Sequence, residues 1–450
     1  MSRRPNLLED NISITLLKLT LPMTLGLISL MCFHLADSYF VGQLGVKELA
    51  ALSFSYPITF TFISISIGLG IGVSAYVAQA LGRGTDNREN MHISAILLNL
   101  IIVSVASLIG YLISRPVFAL LGADEAMIDL IMEYITLWYL AAPFYTMIMT
   151  INSLQRAEGN TKFPATIMAM SSIINILLDP LFIFGVGAFE GMGLQGAALA
   201  SLLAWGISWL FCLIYVNKRE NWFQGLPSLN QFRHHSAKIL NIGLPAAAAN
   251  MLTPIAGSIL IAITAQYGEA AVAAFGVGNR IESLAILMIL ALSMTLPPFI
   301  SQNFGAKKCD RVIEAISVTR KFSMAWQLLI YLLLLALAQP LATLFSDAPE
   351  VHNNVAMVLS ILPLGYGAMG IVILSASSLN ALSRPKQALT VSIIRLIIIT
   401  VPFAWIGGYL DNFRGLLIGV TTGYFITALI AIYIVNKATK DKTEEQLKAA

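Results

Sequence analysis

The chain has 450 residues, of which 57% are hydrophobic and 11% charged, with a mean hydropathy of +0.78 and a formal net charge of +3. A soluble domain averages about a quarter charged residues, so this composition excludes a water-soluble globular protein, and the small positive balance gives no footing for nucleic acid. The three cysteines, Cys32, Cys212 and Cys309, stand far apart with no Cys-x-x-Cys and no metal-ligand spacing.

The charges collect in short stretches between apolar runs of roughly 20 to 30 residues, each long enough to cross a bilayer core of about 30 Å. The opening segment, Met1 to Asp10, is polar and carries acids, unlike a cleaved signal peptide. Twelve spans follow in chain order, at about 15–42, 49–81, 91–114, 126–155, 163–187, 193–216, 238–267, 271–304, 315–345, 353–380, 386–408 and 415–436. The fold class expected is therefore all-α and polytopic. Connections are short, and the longest, about 217–237 with Lys218, Arg219, Arg233, His234 and His235, falls at the midpoint.

Of the 27 lysines and arginines, Lys47, Arg115 and Arg414 fall on one side of this map, Arg280 and Arg395 lie inside spans, and the rest lie on the other side with both termini. The positive-inside rule then places both termini in the cytoplasm. The bias also supports an even number of spans, since one missed helix would scramble it.

The second half repeats the first. A shift of 223 residues brings Pro22 onto Pro245, Gly45 onto Gly268, Gln79 onto Gln302, Gly82 onto Gly305 and Arg88 onto Arg311. Apolar matches are cheap in a membrane protein; a Gln-x-x-Gly ending followed by a matching Arg is not. With six spans per half, both halves enter from the same side, so the lobes expected are 1–220 and 238–450, joined by a cytoplasmic loop at 221–237, with substrate handled between parallel repeats. Prolines inside spans, among them Pro22, Pro57, Pro143, Pro180, Pro254, Pro363 and Pro402, each remove a backbone hydrogen bond and favour kinks, although prolines are commoner in membrane helices in any case.

Ionisable groups inside a membrane cost about 2.5 kcal/mol or more on insertion scales, so each is a functional candidate. Asp37 lies eight residues before Gly45 and Asp179 nine before Ala188, which sets both about 12 to 13 Å inward along their helices. Ser201, eight residues past Gly193, lies at the same depth. Asn175, four residues before Asp179, shares its face, and Pro180 frees the carbonyl of Ile176. Two carboxylates, an amide, a hydroxyl and a free carbonyl make a hard-oxygen set suited to a proton or a small cation. Two acids so placed in a low dielectric do not both stay ionised, and an organic cation or Na⁺ competes for the remaining charge. That competition suffices for an antiporter. The plainer alternative is that Asn175 and Asp179 satisfy one another in helix packing. His34, one turn before Asp37, is a candidate relay or an ordinary packing residue, and Tyr139 a candidate donor to the acids. In the second half Arg280 and Glu282, two apart, do not share a face; a structural ion pair of Glu282 with Arg395, at similar depth, is expected instead. Gly68-x-Gly70-x-Gly72 lies inside a span, where close helix packing explains it better than a nucleotide loop. No Walker loop, zinc motif or nucleophile triad is visible, so no enzyme and no bound cofactor is expected.

The stretch Leu35-Ala36-Asp37-Ser38-Tyr39-Phe40-Val41-Gly42, the runs Gly45 to Ala51 and Gln79-Ala80-Leu81-Gly82, the motif Leu154-Gln155-Arg156-Ala157-Glu158-Gly159, and Asn175 to Gly185 with Gly196-Ala197-Ala198 resemble the multidrug and toxic compound extrusion (MATE) family. The resemblance runs from about 12 to 436. It implies a two-lobed exporter of small cationic or amphipathic drug-like compounds in the bacterial inner membrane, surrounded by lipid and working as a monomer. In the DinF-like branch the coupling site is in the N-terminal lobe, where Asp37, Asn175 and Asp179 match it and Ser201 stands where relatives often have Thr. The NorM-like branch uses acids in spans 7 and 10, which this chain lacks. Proton coupling is therefore expected, with Na⁺ at Asp37, Asn175 and Asp179 as the alternative. A lipid-linked oligosaccharide flippase of the same superfamily is the competing reading; intramembrane acids (Asp37, Asp179, Glu282) that outnumber bases (Arg280, Arg395) disfavour it. The duplicated halves and the lack of a large extramembrane domain disfavour a channel or receptor.

Overall fold

The computed structural model describes residues 5–85, 88–187, 189–220, 222, 225–345 and 348–448. It is all-α apart from one short antiparallel ribbon. Helices α1 (Ile12–Leu44), α2 (Val46–Gly82), α3 (Arg88–Leu120), α4 (Glu125–Ala157), α5 (Lys162–Phe184) and α6 (Gly193–Tyr215) form the first repeat. The second has α7 (Leu229–Thr264), α8 (Glu269–Ala285), α9 (Leu287–Gly305), α10 (Cys309–Phe345), α11 (Pro349–Ile361), α12 (Tyr366–Ala381), α13 (Pro385–Ile393) and α14 (Val401–Lys448).

Breaks within spans account for the surplus of helices over crossings. The eighth span, expected unbroken, divides at Ile286 into α8 and α9. The tenth divides at a 3-10 turn, Leu362–Gly365, where Pro363 has no N–H to give. Seven residues of π-helix, Ile394–Thr400, precede Pro402, whose ring cannot sit against the carbonyl of the preceding turn. Among the described residues, eleven helical stretches are long and apolar enough to cross a membrane. The last of them, Pro385–Glu445, folds back on itself at Asp411 and Asn412, which leave helical geometry, and so supplies two crossings, making twelve. Glycine permits that hairpin: a Cβ on Gly407 would strike the Gly415 backbone and one on Gly419 the Phe403 carbonyl.

Packing groups the chain into two compact units. One runs from Leu21 to Ala247; the other joins the residues up to Thr20 to those from Ala248 onward. The lobes expected from the repeat, 1–220 and 238–450, are thus grouped slightly differently: helices α1 and α7 each change unit within their length. In the first unit, Gly68 and Gly72 of α2 form a groove that receives Ala247, Gly243 and the Ile239 carbonyl of α7. Gly70, on another face, meets Ser153 of α4. The Gly-x-Gly-x-Gly run is therefore a packing device. In the second unit the equivalent meeting, shifted by 223, is a 2.9 Å hydrogen bond between the Thr20 and Thr295 hydroxyls.

The polar N-terminal segment is tied to the second unit. Asn303 Nδ2 donates to the Leu7 carbonyl at 3.0 Å, Lys308 Nζ to that of Leu8 at 3.0 Å, and Arg311 Nη2 to those of Leu7 and Asp10 at 3.1 and 2.7 Å. Asn11 Oδ1 then accepts from Ile14 N–H at the start of α1. Arg311→Ala removes both of these bonds to the segment, together with the 2.9 Å bond from Arg311 Nε to Asn303 Oδ1. Amide exchange over residues 6–14 is expected to quicken by about ten- to a hundredfold, with α2–α6 unchanged, as read by hydrogen–deuterium exchange mass spectrometry.

Candidate functional site

Three helices of the first unit meet at Asp179. Helix α5 ends at Gly185, whose φ of 79° turns the chain into the ribbon Gly185–Val186 and Phe189–Glu190. Helix α6 then returns antiparallel, with Met192 N–H donating to the Phe182 carbonyl at 2.8 Å. This short return brings Ser201 level with Asn175. Both are buried, and Asp179 is 0% exposed.

With its amide nitrogen toward Asp179, Asn175 donates to Asp179 Oδ2 at 3.0 Å, and its oxygen accepts from the Ser201 backbone N–H at 3.3 Å and hydroxyl at 3.2 Å.

Asp37, on α1, interacts electrostatically with Asp179. Its Oδ1 is buried and has no hydrogen-bond partner among the described residues. A buried carboxylate oxygen left open in this way requires a proton, a cation or a water. Asp179, Asn175 and Ser201 are joined by hydrogen bonds, and Asp37 acts on Asp179 through its charge, so four oxygen-bearing side chains are gathered in the first unit.

Other expected residues fall elsewhere. The Tyr139 hydroxyl is 2.9 Å from Ser114 Oγ and is not a donor to the acids. The phenol beside them is Tyr134, buried and under the influence of both Asp37 and Asp179. The signal for it was present: Tyr134 is nine residues past Glu125, about 13 Å in, the depth of the acids, whereas Tyr139 lies about 21 Å in. His34 is exposed against the Phe33 ring. Glu282 does not close an ion pair with Arg395 among the described residues; it faces the Tyr366 hydroxyl, while Arg395 and Tyr424 act on it at longer range and Arg395 Nε is buried without a partner. The two groups feel one another's charge without the contact that depth alone suggested.

One turn inward from the acids is an apolar cleft lined by Leu30, Phe33, Tyr145, Met168, Ser172 and Trp205. The register is consistent on three helices: Phe33 precedes Asp37 by four residues, Ser172 precedes Asn175 by three, and Trp205 follows Ser201 by four. Trp205 packs against Tyr145 at 5.0 Å and Trp138 at 6.4 Å between ring centroids.

A duplicated, all-α architecture with twelve crossings and buried carboxyls is that of a polytopic membrane protein. The MatE family profile matches residues 22–181 and again 245–406, the second match starting 223 residues after the first. The chain belongs to the MATE family. It is 37% identical over 439 residues, 97% of each chain, to a protein of Shewanella oneidensis named FAD transporter. It is 24% identical over 442 residues, 96% of each, to the multidrug export protein MepA of Staphylococcus haemolyticus. Among solved structures, the Vibrio cholerae MATE transporter VcmN in the bent form superposes with a TM-score of 0.90 at 34% identity, covering 96% of this chain and 98% of that one.

Proposed function

We propose that the protein is a proton-coupled antiporter of the DinF-like branch, working as a monomer in a bacterial inner membrane with both termini in the cytoplasm, and that it exports small cationic or amphipathic molecules. The observation that carries this reading is the open, buried Oδ1 of Asp37 beside Asp179, one turn from an aromatic cleft. A proton and an organic cation are alternative partners for the same negative charge. Aromatic faces add cation–π attraction of about 0.5 to 2 kcal/mol for a cation in the cleft. Protonation removes that charge and frees the cargo. The imbalance of Lys and Arg supports the orientation.

The test is ethidium efflux from proteoliposomes under an imposed pH gradient and, separately, an imposed sodium gradient. Efflux with the pH gradient alone is the expected result. Efflux with the sodium gradient alone would reject the proton assignment and make the same four residues a Na⁺ site.

A second reading of the cargo has its own support. The relative at 37% identity carries the name FAD transporter, and the multidrug relatives are more distant at 24 to 26%. On that reading the cargo is a flavin dinucleotide. Vesicles loaded with FAD in place of ethidium decide it.

A further inference from the structure

The exposed face of α8 has the wrong chemistry for lipid. Residues Ala271, Ala274, Phe275 and Gly278 are buried, and the exposed face carries Glu269, Ala273, Gly276, Arg280 and Ser283 at alternating spacings of four and three, with one large apolar side chain, Leu284, at its end. That is one helical stripe. Lipid-facing helices of the same unit look different: α10 exposes Leu328, Leu329, Leu332, Leu333 and Leu335. Arg280 lies eleven residues past Glu269, about 16 Å along the axis and near the middle of a bilayer core of about 30 Å. From there its side chain cannot snorkel to either interface.

Arg280 also has no hydrogen bond or ion pair among the described residues. Glu282, its acidic neighbour in sequence, is on another face and turned toward Tyr366. Ser283 Oγ donates to the Asn279 carbonyl at 2.9 Å and does not engage it. Space is open above Gly276, where an added Cβ would meet nothing within 4 Å. An unpaired guanidinium at mid-depth on a stripe of small and polar residues is tolerable only where the stripe faces water.

We propose that this stripe is an anion-binding surface, with Arg280 taking the pyrophosphate of a dinucleotide cargo; the proposal rests on the flavin reading above. A guanidinium presents paired N–H donors that match phosphate oxygens. Gly276 and Ala273, one and two turns away, leave the approach clear. The acids of the first unit offer nothing to such a group, so the cation needed to recognise it must come from elsewhere in the chain, and Arg280 is the intramembrane arginine that is both exposed and unpaired.

The experiment loads proteoliposomes with FAD or ethidium and compares wild type, Arg280→Gln and Arg280→Lys, with ADP binding measured in nanodiscs as a second readout. The expected result is a fall of about tenfold or more in the ratio of FAD to ethidium efflux for Arg280→Gln, with partial retention in Arg280→Lys, corresponding to one lost charge-assisted contact. An unchanged ratio in Arg280→Gln, with wild type moving FAD, overturns the role of Arg280 and leaves the flavin reading standing. If wild type moves no FAD yet binds ADP through Arg280, the flavin reading fails and the anion surface stands. If wild type neither moves FAD nor binds ADP, both fail.

Discussion

Asp37→Asn is expected to abolish efflux driven by an imposed pH gradient while the protein stays folded. The substitution keeps the volume of the side chain and removes its ability to gain and lose a proton. A pH gradient supplies about 1.4 kcal/mol per unit to a coupled proton, so each unit of gradient sustains about a tenfold cargo ratio in wild type. The variant should hold no more than the ratio the membrane potential alone supports. Stability is expected to be equal or higher, because Oδ1 of Asp37 has no protein partner to lose and a buried, unpaired charge disappears. Two measurements check this: the steady-state ethidium ratio across vesicles at imposed gradients of different size, and the thermal unfolding midpoint in detergent. A ratio that still grows with the gradient in the variant would move the coupling role away from Asp37, with Asp179 the remaining acid of the first unit's pair.

Much of this site was legible because a membrane supplies a ruler. Span ends are marked by charge, each residue advances about 1.5 Å, and Asp37, Asp179 and Ser201 therefore fall level without any structure. Asn175 followed from helical spacing, and the structure brings it within hydrogen-bond distance of both Asp179 and Ser201. The ruler measures depth only. It says nothing of rotation about the helix axis, which sends Tyr139 to Ser114 and Glu282 to Tyr366. Tyr134 was within its reach and was missed because two tyrosines compete on α4. Breaks in helices were readable where proline causes them, at Pro363 and Pro402. The break at Ile286 has no proline and no glycine; the Ala285 carbonyl beside it accepts from Gln327 Nε2 of α10 at 3.1 Å, a contact that local sequence does not carry. The regrouping of α1 and α7 between units was likewise hidden. It depends on which helix fills the groove at Gly68 and Gly72, and a repeat in sequence is equally compatible with either partner.

Gly196→Val is expected to cost the protein its transport activity without touching an acid. Gly196 packs directly on the end of α5: a Cβ there would overlap the Phe182 carbonyl and lie 2.9 Å from the Ile183 nitrogen. These are backbone atoms within a helix and cannot swing aside. Helix α6 must therefore shift away from α5, at a cost of about 1 to 3 kcal/mol for overpacking a close-packed contact. Ser201 lies five residues further along α6 and depends on the same approach to reach the Asn175 amide at 3.2 Å. A shift of about 1 Å takes that contact beyond hydrogen-bond range, so Asn175 loses its link to α6 and Asp179 is held by one helix alone. The midpoint of thermal unfolding should fall and efflux driven by the pH gradient should drop at least tenfold, the two changes together. Gly206, ten residues on in the same helix, would meet nothing within 4 Å on gaining a Cβ, so Gly206→Val provides the matched comparison and should leave both readings near wild type. Equal loss in the two variants would show that α6 tolerates no side-chain change at all; loss in Gly196→Val alone ties the activity to the distance between α5 and α6.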